Sequence, residues 1–140
     1  MIVQYPDPIL SAVATPVTDF TSLKELVMQM RCAMVLASGI GIAANQIGDP
    51  RAVCIVKDLV MVNPVITRHI GEFERDLEGC LSLDGHGAFP RLATGIVEVE
   101  YQTIKGKKVK KTFKGFDARI VQHEVRHLNG KLINEGYENA

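Results

Sequence analysis

The chain has no apolar run approaching the ~20 residues that a bilayer-spanning helix needs, so no membrane segment is expected. Its start, Met1-Ile2-Val3-Gln4-Tyr5-Pro6, lacks the positive charge and apolar stretch of a signal peptide. Neither sign of charge is in excess: 16 Lys and Arg stand against 16 Asp and Glu. Proteins that bind nucleic acid usually carry a basic surplus, so no direct nucleic-acid specificity is expected. Cysteine is scarce. Three residues, Cys32, Cys54 and Cys80, cannot all pair within one chain, and their wide spacing argues for reduced thiols rather than a disulfide framework. There is no internal repeat and no low-complexity tract. Together these absences make a cytoplasmic protein without membrane contact the expectation.

What is present suits a folded domain. The 140 residues, 46% of them apolar, fit one catalytic-sized unit over 1–140, and a chain of this length buries roughly two-thirds of its unfolded surface. Pro6, Pro8 and Pro16 imply an extended N-terminal arm. Ser22 with Glu25 has the form of a capping box, and Leu23, Leu26, Val27, Met30, Met34 and Ala37 keep helical spacing until Gly39. Short β-rich pieces follow at Ala52–Val56, Val60–Asn63, Val65–Ile70, Ile96–Thr103 and Lys107–Phe113, the last two joined by a turn at Gly106. Asp117 is placed to cap a second helix from about Ala118 to Leu128, with Gly130 past its end. Strands clustered between two helices predict an α+β fold: small, mostly antiparallel sheets around the second helix, plus one N-terminal helix. Cys32 and Cys54 read as small core residues. The lysines of 105–111 read as a protected hairpin edge, with docking onto an anionic surface as the alternative.

Chemistry concentrates on the second helix, which reads Gln122-His123-Glu124-Val125-Arg126-His127. Residues four apart share a helical face, so both imidazoles can reach one ion. Glu124 lies beside that ion but is poorly placed to bind it, which is where a base acting on an activated water belongs. A third ligand must come from elsewhere. Cys80, flanked by Gly79, is the best candidate, with His69 and His86 as rivals. Gly39-Ile40-Gly41-Ile42-Ala43-Ala44-Asn45-Gln46 lets another backbone come close and offers the Gln46 amide. It is not a phosphate loop, since it follows a helix and lacks the lysine–hydroxyl pair.

These three segments, in this order, resemble the signature motifs of the peptide deformylase family. Gly39–Gln46 resembles its glycine-alanine-glutamine motif, Glu78–Ser82 reads Glu-Gly-Cys-Leu-Ser, and Gln122–Gly130 resembles Gln-His-Glu-x-Asp-His. The Pro-Asp-Pro-Ile-Leu arm, Asn63-Pro64 and Gly115–Val121 extend the likeness over nearly the whole chain. The resemblance implies a metal-dependent hydrolase that removes the N-formyl group from N-terminal formylmethionine of nascent polypeptides and releases formate. It implies Cys80, His123 and His127 as ligands of one divalent ion, ferrous iron in the cell, with zinc, nickel or cobalt able to occupy the site. It further implies Glu124 as acid/base, Gln46 and the Leu81 N–H as oxyanion donors, and substrate contacts from Gly39, Ile40, Gly41, Gly79, Phe116, Arg119 and Ile120.

Two departures stand out. Arg126 occupies the place where the family commonly has aspartate, facing an arginine expected to be Arg91; Glu78 or Asp84 is expected to neutralise the pair, or Arg126 to swing into solvent. Only 13 residues follow His127, too few for the long C-terminal helix of many bacterial relatives, as in the short forms carried by phages. A ribosome contact would then fall to the lysine-rich hairpin. The competing readings are a different His-Glu-x-x-His metal hydrolase and a catalytically weak or inactive deformylase-like module that binds peptides or the ribosome.

Overall fold

β-branched residues dominate 53–70, and they build one sheet rather than several. A computed structural model describes residues 1–132. In it five strands follow chain order across a wholly antiparallel sheet: β1 (Gly41–Ala43), β2 (Val53–Val56), β3 (Leu59–Glu78), β4 (Phe89–Gln102) and β5 (Lys108–Lys114). Two helices flank it, α1 (Leu23–Leu36) and α2 (Gly115–Leu128). The α+β expectation holds.

The twofold alternation of a strand explains how both helices find a face. Ile42, Val53 and Ile55 pack with Leu23, Leu26 and Met30 of α1. Their neighbours Ala43, Cys54 and Val56 point to the opposite side, against Ala118, Val121 and Val125 of α2. A strand covered on both faces needs apolar residues at every position, which is why 52–56 shows no polar alternation. Each large side chain so buried contributes about 1.5–3 kcal/mol.

Several expected boundaries shift. The pieces at 60–63 and 65–70 are one strand of 20 residues, β3, whose register slips between Val62 and Val65, Ile66 and Arg68, and Ile70 and Phe73. These irregularities accommodate Pro64 and Gly71 inside a continuous strand, which local signals read as breaks. β4 begins at Phe89 because it pairs with the far half of β3, an effect of partnership rather than propensity. β1 is absent from the sequence reading, since Gly-Ile-Ala carries no strand signature. Neither expected cap forms: Ser22 makes no side-chain cap bond to α1, and α2 starts at Gly115 behind Lys114, leaving Asp117 inside the first turn as a partner of Lys57 at 2.6 Å. Cys32 is exposed on α1, not a core residue, whereas Cys54 is fully buried.

The N-terminal arm is extended apart from 3₁₀ turns at Pro8–Ser11 and Phe20–Ser22. Asn63, in a left-handed conformation (φ 50°), pins the arm: its side chain accepts from Val17 N at 2.7 Å and donates to Val17 O at 2.9 Å and Gln102 Oε1 at 2.9 Å. The expectation about a missing C-terminal helix concerns residues 133–140, outside the described ones.

Candidate metal centre

Three stretches far apart in sequence converge where β1, the end of β3 and α2 meet. His123 and His127 lie one helical turn apart on α2 with their Nε2 atoms 3.2 Å from each other. Cys80 lies two residues past the end of β3, and its Sγ is 3.3 Å from His127 Nε2. One donor atom from each of the three lies within 4.8 Å of the others, the only such Cys/His/acid cluster among the described residues. The rival histidines are elsewhere: His86 packs edge-on against Tyr5 and His69 against Phe73. Two imidazole nitrogens and a sulfur at this separation fit a divalent transition metal with one position open.

Glu78, the last residue of β3, holds the arrangement. One carboxylate oxygen lies 3.0 Å from His123 Nδ1 and the other binds the Arg119 guanidinium. A carboxylate on Nδ1–H leaves the Nε2 lone pair facing Cys80 and His127, the common support for a metal-binding histidine. Arg119 is itself fixed by the carbonyls of Glu74 and Arg91. Asn45 donates to the His127 carbonyl at 2.7 Å, and the Gln122 amide grips Thr94 across β4. Sequence reasoning gave none of these supports its role, although Glu78, Asn45 and Gln122 all lie inside the recognised motifs.

The site opens into a cavity of about 610 Å³, within the range of small-ligand pockets. Every expected site residue except the fully buried His127 lines it, from Gly39, Ile40 and Gly41 through Gly79 and Leu81 to Phe116, Arg119 and Ile120. Phe116 is 61% exposed at the rim, so it is no core residue. Gln46, 1% exposed, accepts from Ala43 N through Oε1, which leaves Nε2 directed at Ser82 Oγ (3.1 Å) and towards Cys80 Sγ (3.8 Å). Leu81 opens the 3₁₀ turn Leu81–Leu83, so its N–H has no partner within that turn.

Glu124 is 4% exposed, and its Oε1 has no hydrogen-bond partner among the described residues. Burial pushes its pKa up, His123 opposes this and Glu78 adds to it, for a value of about 7. A carboxyl poised near neutrality can both take and return a proton. Its Oε2 rests against Gly41, where a Cβ would lie 2.5 Å away.

Of the two alternatives for Arg126, the outward swing is not the one found, and Glu78 bears on it only through space. Arg126 is 7% exposed, with Nη2 on the Leu92 carbonyl. Burial and then Arg91 lower its pKa to about 10, against a smaller opposing effect of Glu78. Glu78 is engaged with Arg119 and His123 and makes no hydrogen bond to Arg126, and Asp84 sits at the cavity rim with its N–H on Gln4.

The description "Polypeptide deformylase" belongs to the family model that matches residues 1–139. A peptide deformylase from Desulforudis audaxviator is 39% identical over 136 residues, 92% of this chain and 87% of that protein. The class I type b enzyme of Acinetobacter baumannii, solved with Met-Ala-Ser bound, is similar with a TM-score of 0.90 and 36% identity, covering 96% of this chain and 97% of that one. The enzyme of Vibrio parahaemolyticus bacteriophage VP16T, solved with actinonin, has a TM-score of 0.90 at 34% identity, over 94% and 98% of the two chains.

Proposed function

The chain belongs to the peptide deformylase family, and from that membership and the site's geometry we propose how it works. It is a metal-dependent amide hydrolase that removes the N-formyl group from formylmethionyl peptides. The observation that carries the mechanism is the meeting of Cys80, His123 and His127 with Glu124 and Gln46 at one cavity wall.

Cys80, as thiolate, and the neutral imidazoles of His123 and His127 hold the ion, which is ferrous iron in the cell, with zinc, nickel or cobalt able to replace it. When bound, the divalent ion supplies Lewis acidity, polarising the formyl carbonyl and acidifying water in the cavity. Glu124 takes the proton as that water attacks the formyl carbon, then returns it to the departing amine. Gln46 Nε2 and the Leu81 N–H meet the charge that develops on the carbonyl oxygen, each such donor contributing about 3 kcal/mol. β1 is an edge strand, so the peptide main chain adds alongside Gly39–Gly41 and Gly79–Leu81 as a further strand. Ile40, Phe116, Ile120 and the stem of Arg119 take the methionine side chain. The enzyme works in the cytoplasm on nascent chains. Lysines of the β4–β5 hairpin are its means of contact with the ribosome, reduced by the pairing of Lys110 with Glu100 at 3.9 Å.

Formate release from formyl-Met-Ala-Ser by the iron- or nickel-loaded protein under anaerobic conditions tests the reading. Glu124→Ala is expected to keep the metal and lose ~10²–10⁴-fold in kcat, the usual worth of a general acid/base. No formate from the loaded wild-type protein refutes the activity; full turnover by the variant refutes the role of Glu124. No observation favours the non-catalytic reading, since Arg126 leaves the ligand cluster intact.

A further inference from the structure

The proposed oxyanion donors, Gln46 Nε2 and the Leu81 N–H, belong to two short turns, and three consecutive residues of the N-terminal arm bind both turns. Val3 N–H donates to the Gln46 carbonyl at 2.6 Å and Tyr5 N–H to the Ser82 carbonyl at 2.8 Å, as an extended chain allows, since N–H groups two residues apart share one edge. Between them lies the Gln4 side chain, which carries both a donor and an acceptor. It meets the 3₁₀ turn Leu81–Leu83 at both ends: Nε2 donates to the Leu81 carbonyl at 2.9 Å, and Oε1 accepts from Asp84 N at 3.1 Å. That carbonyl and that N–H are three residues apart, the pair that a 3₁₀ turn brings together. Among the described residues, the other distant side chain hydrogen-bonded to this turn is Gln46, on Ser82 Oγ at 3.1 Å. The flanks add no steric restraint, because a Cβ at Gly79 or Gly85 would meet nothing within 4 Å. The arm itself is docked without Gln4: Val3 and Ile9 pack with the buried Leu10 and Leu83, whereas Gln4 is exposed.

We propose that Gln4 is a positioning residue for the reaction: its amide fixes the turn that carries the Leu81 N–H. The inference rests on the deformylase reading and deepens it. An oxyanion donor is effective because it is already aimed when the charge develops. Leu81 lines the cavity, and its Cδ1 lies where a Cβ on Gly39 would stand 2.8 Å away, so Gly39 sets its side chain and Gln4 its carbonyl. With the Gln4 amide removed, the peptide planes of the turn are free to tilt, and the Leu81 N–H tilts with them. A misplacement of about 1 Å in such a group is enough to slow the reaction. Gln4 is not among the residues lining the cavity, so the surfaces that receive the peptide stay as they are.

The test compares nickel-loaded wild type, Gln4→Met and Gln4→Ala in formate release from formyl-Met-Ala-Ser, nickel content and affinity for the product Met-Ala-Ser. The expected result is kcat down ~10-fold, part of the roughly 10²–10³-fold carried by a whole donor, with KM, product affinity and nickel content within about twofold of wild type. The product lacks the formyl oxygen, so its binding reports the rest of the site. A kcat within about twofold of wild type overturns the proposal. So does a kcat loss matched by loss of nickel or of product affinity, the mark of a tie that is only structural. Amide hydrogen exchange in the zinc-loaded protein reads the turn without turnover, and the Leu83 and Asp84 amides are expected to exchange ~10-fold faster in Gln4→Met. Unchanged exchange overturns the proposal even where the wild type releases no formate, a failure that counts against the deformylase reading instead.

Discussion

Gly41→Ala isolates the contact that seats Glu124, the proposed acid/base. The glycine does not have a positive φ, so alanine meets no backbone penalty; what it meets is Glu124. A Cβ would stand 2.5 Å from Oε2, 3.1 Å from Cδ and 3.1 Å from Ile120 Cγ2. Ordinary contact begins near 3.4 Å, so the carboxylate must retreat by 3.4 − 2.5 = 0.9 Å. Displacing a reacting group by about 1 Å costs on the order of 10²-fold in rate, and overpacking costs about 1–3 kcal/mol of stability. Steady-state kinetics with a formyl-Met peptide is expected to show kcat down ~100-fold, with metal content retained. In a Glu124→Ala background the same change is expected to cost no further activity and to recover stability, because the methyl enters space the carboxylate has left. A kcat within threefold of wild type, or additive losses in the double variant, would refute the account.

Glu78→Ala removes the carboxylate on His123 Nδ1 and Arg119; chelator competition should show metal affinity lowered ~10–100-fold, the usual effect of losing such a support. Asn63→Ala deletes three hydrogen bonds, two that tie the arm to β3 and one that ties β3 to Gln102 of β4, and at about 1 kcal/mol each denaturant unfolding should register a loss of about 2–3 kcal/mol. Hydrogen bonds from Arg51 hold the Asp49 pKa below its ordinary 3.8, against the opposing effect of burial. A depressed folded-state pKa stabilises fully above the unfolded value and fades as pH falls through the folded one. The difference between wild type and Asp49→Asn should thus stand at pH 7 and vanish in strong acid, and for this partly exposed pair it should stay under about 1 kcal/mol.

The convergence of the candidate site residues was legible because its signals are local: His123, Glu124 and His127 owe theirs to helical spacing, and Cys80 and Gln46 sit in motifs with their own glycines. The α1 pattern was legible for the same reason. β3 was not, because Pro64 and Gly71 are punctuation in sequence but bulges in a strand held by β4. For Arg126 a charge argument alone left two alternatives open, neutralisation by an acid or a swing into solvent; the tertiary fold decides against the swing, because the Leu92 carbonyl of β4 receives the guanidinium. The support of His123 by Glu78 depends on where β3 ends, which only the tertiary pairing determines.

The ligand set has a mechanical side. Cys80 and His127 are 47 residues apart, and between them lie β4, β5 and nearly all of α2. An ion joining them as proposed would be a cross-link around that half of the fold, and by the arithmetic used for disulfides a closed loop of this length restricts the unfolded chain by about 4 kcal/mol. With the proposed ion bound, the centre would double as a clasp. Its opening would loosen β4, β5 and α2 together while α1 and the first two strands keep their own core, and amide exchange would read that as a split of one cooperative unit into two.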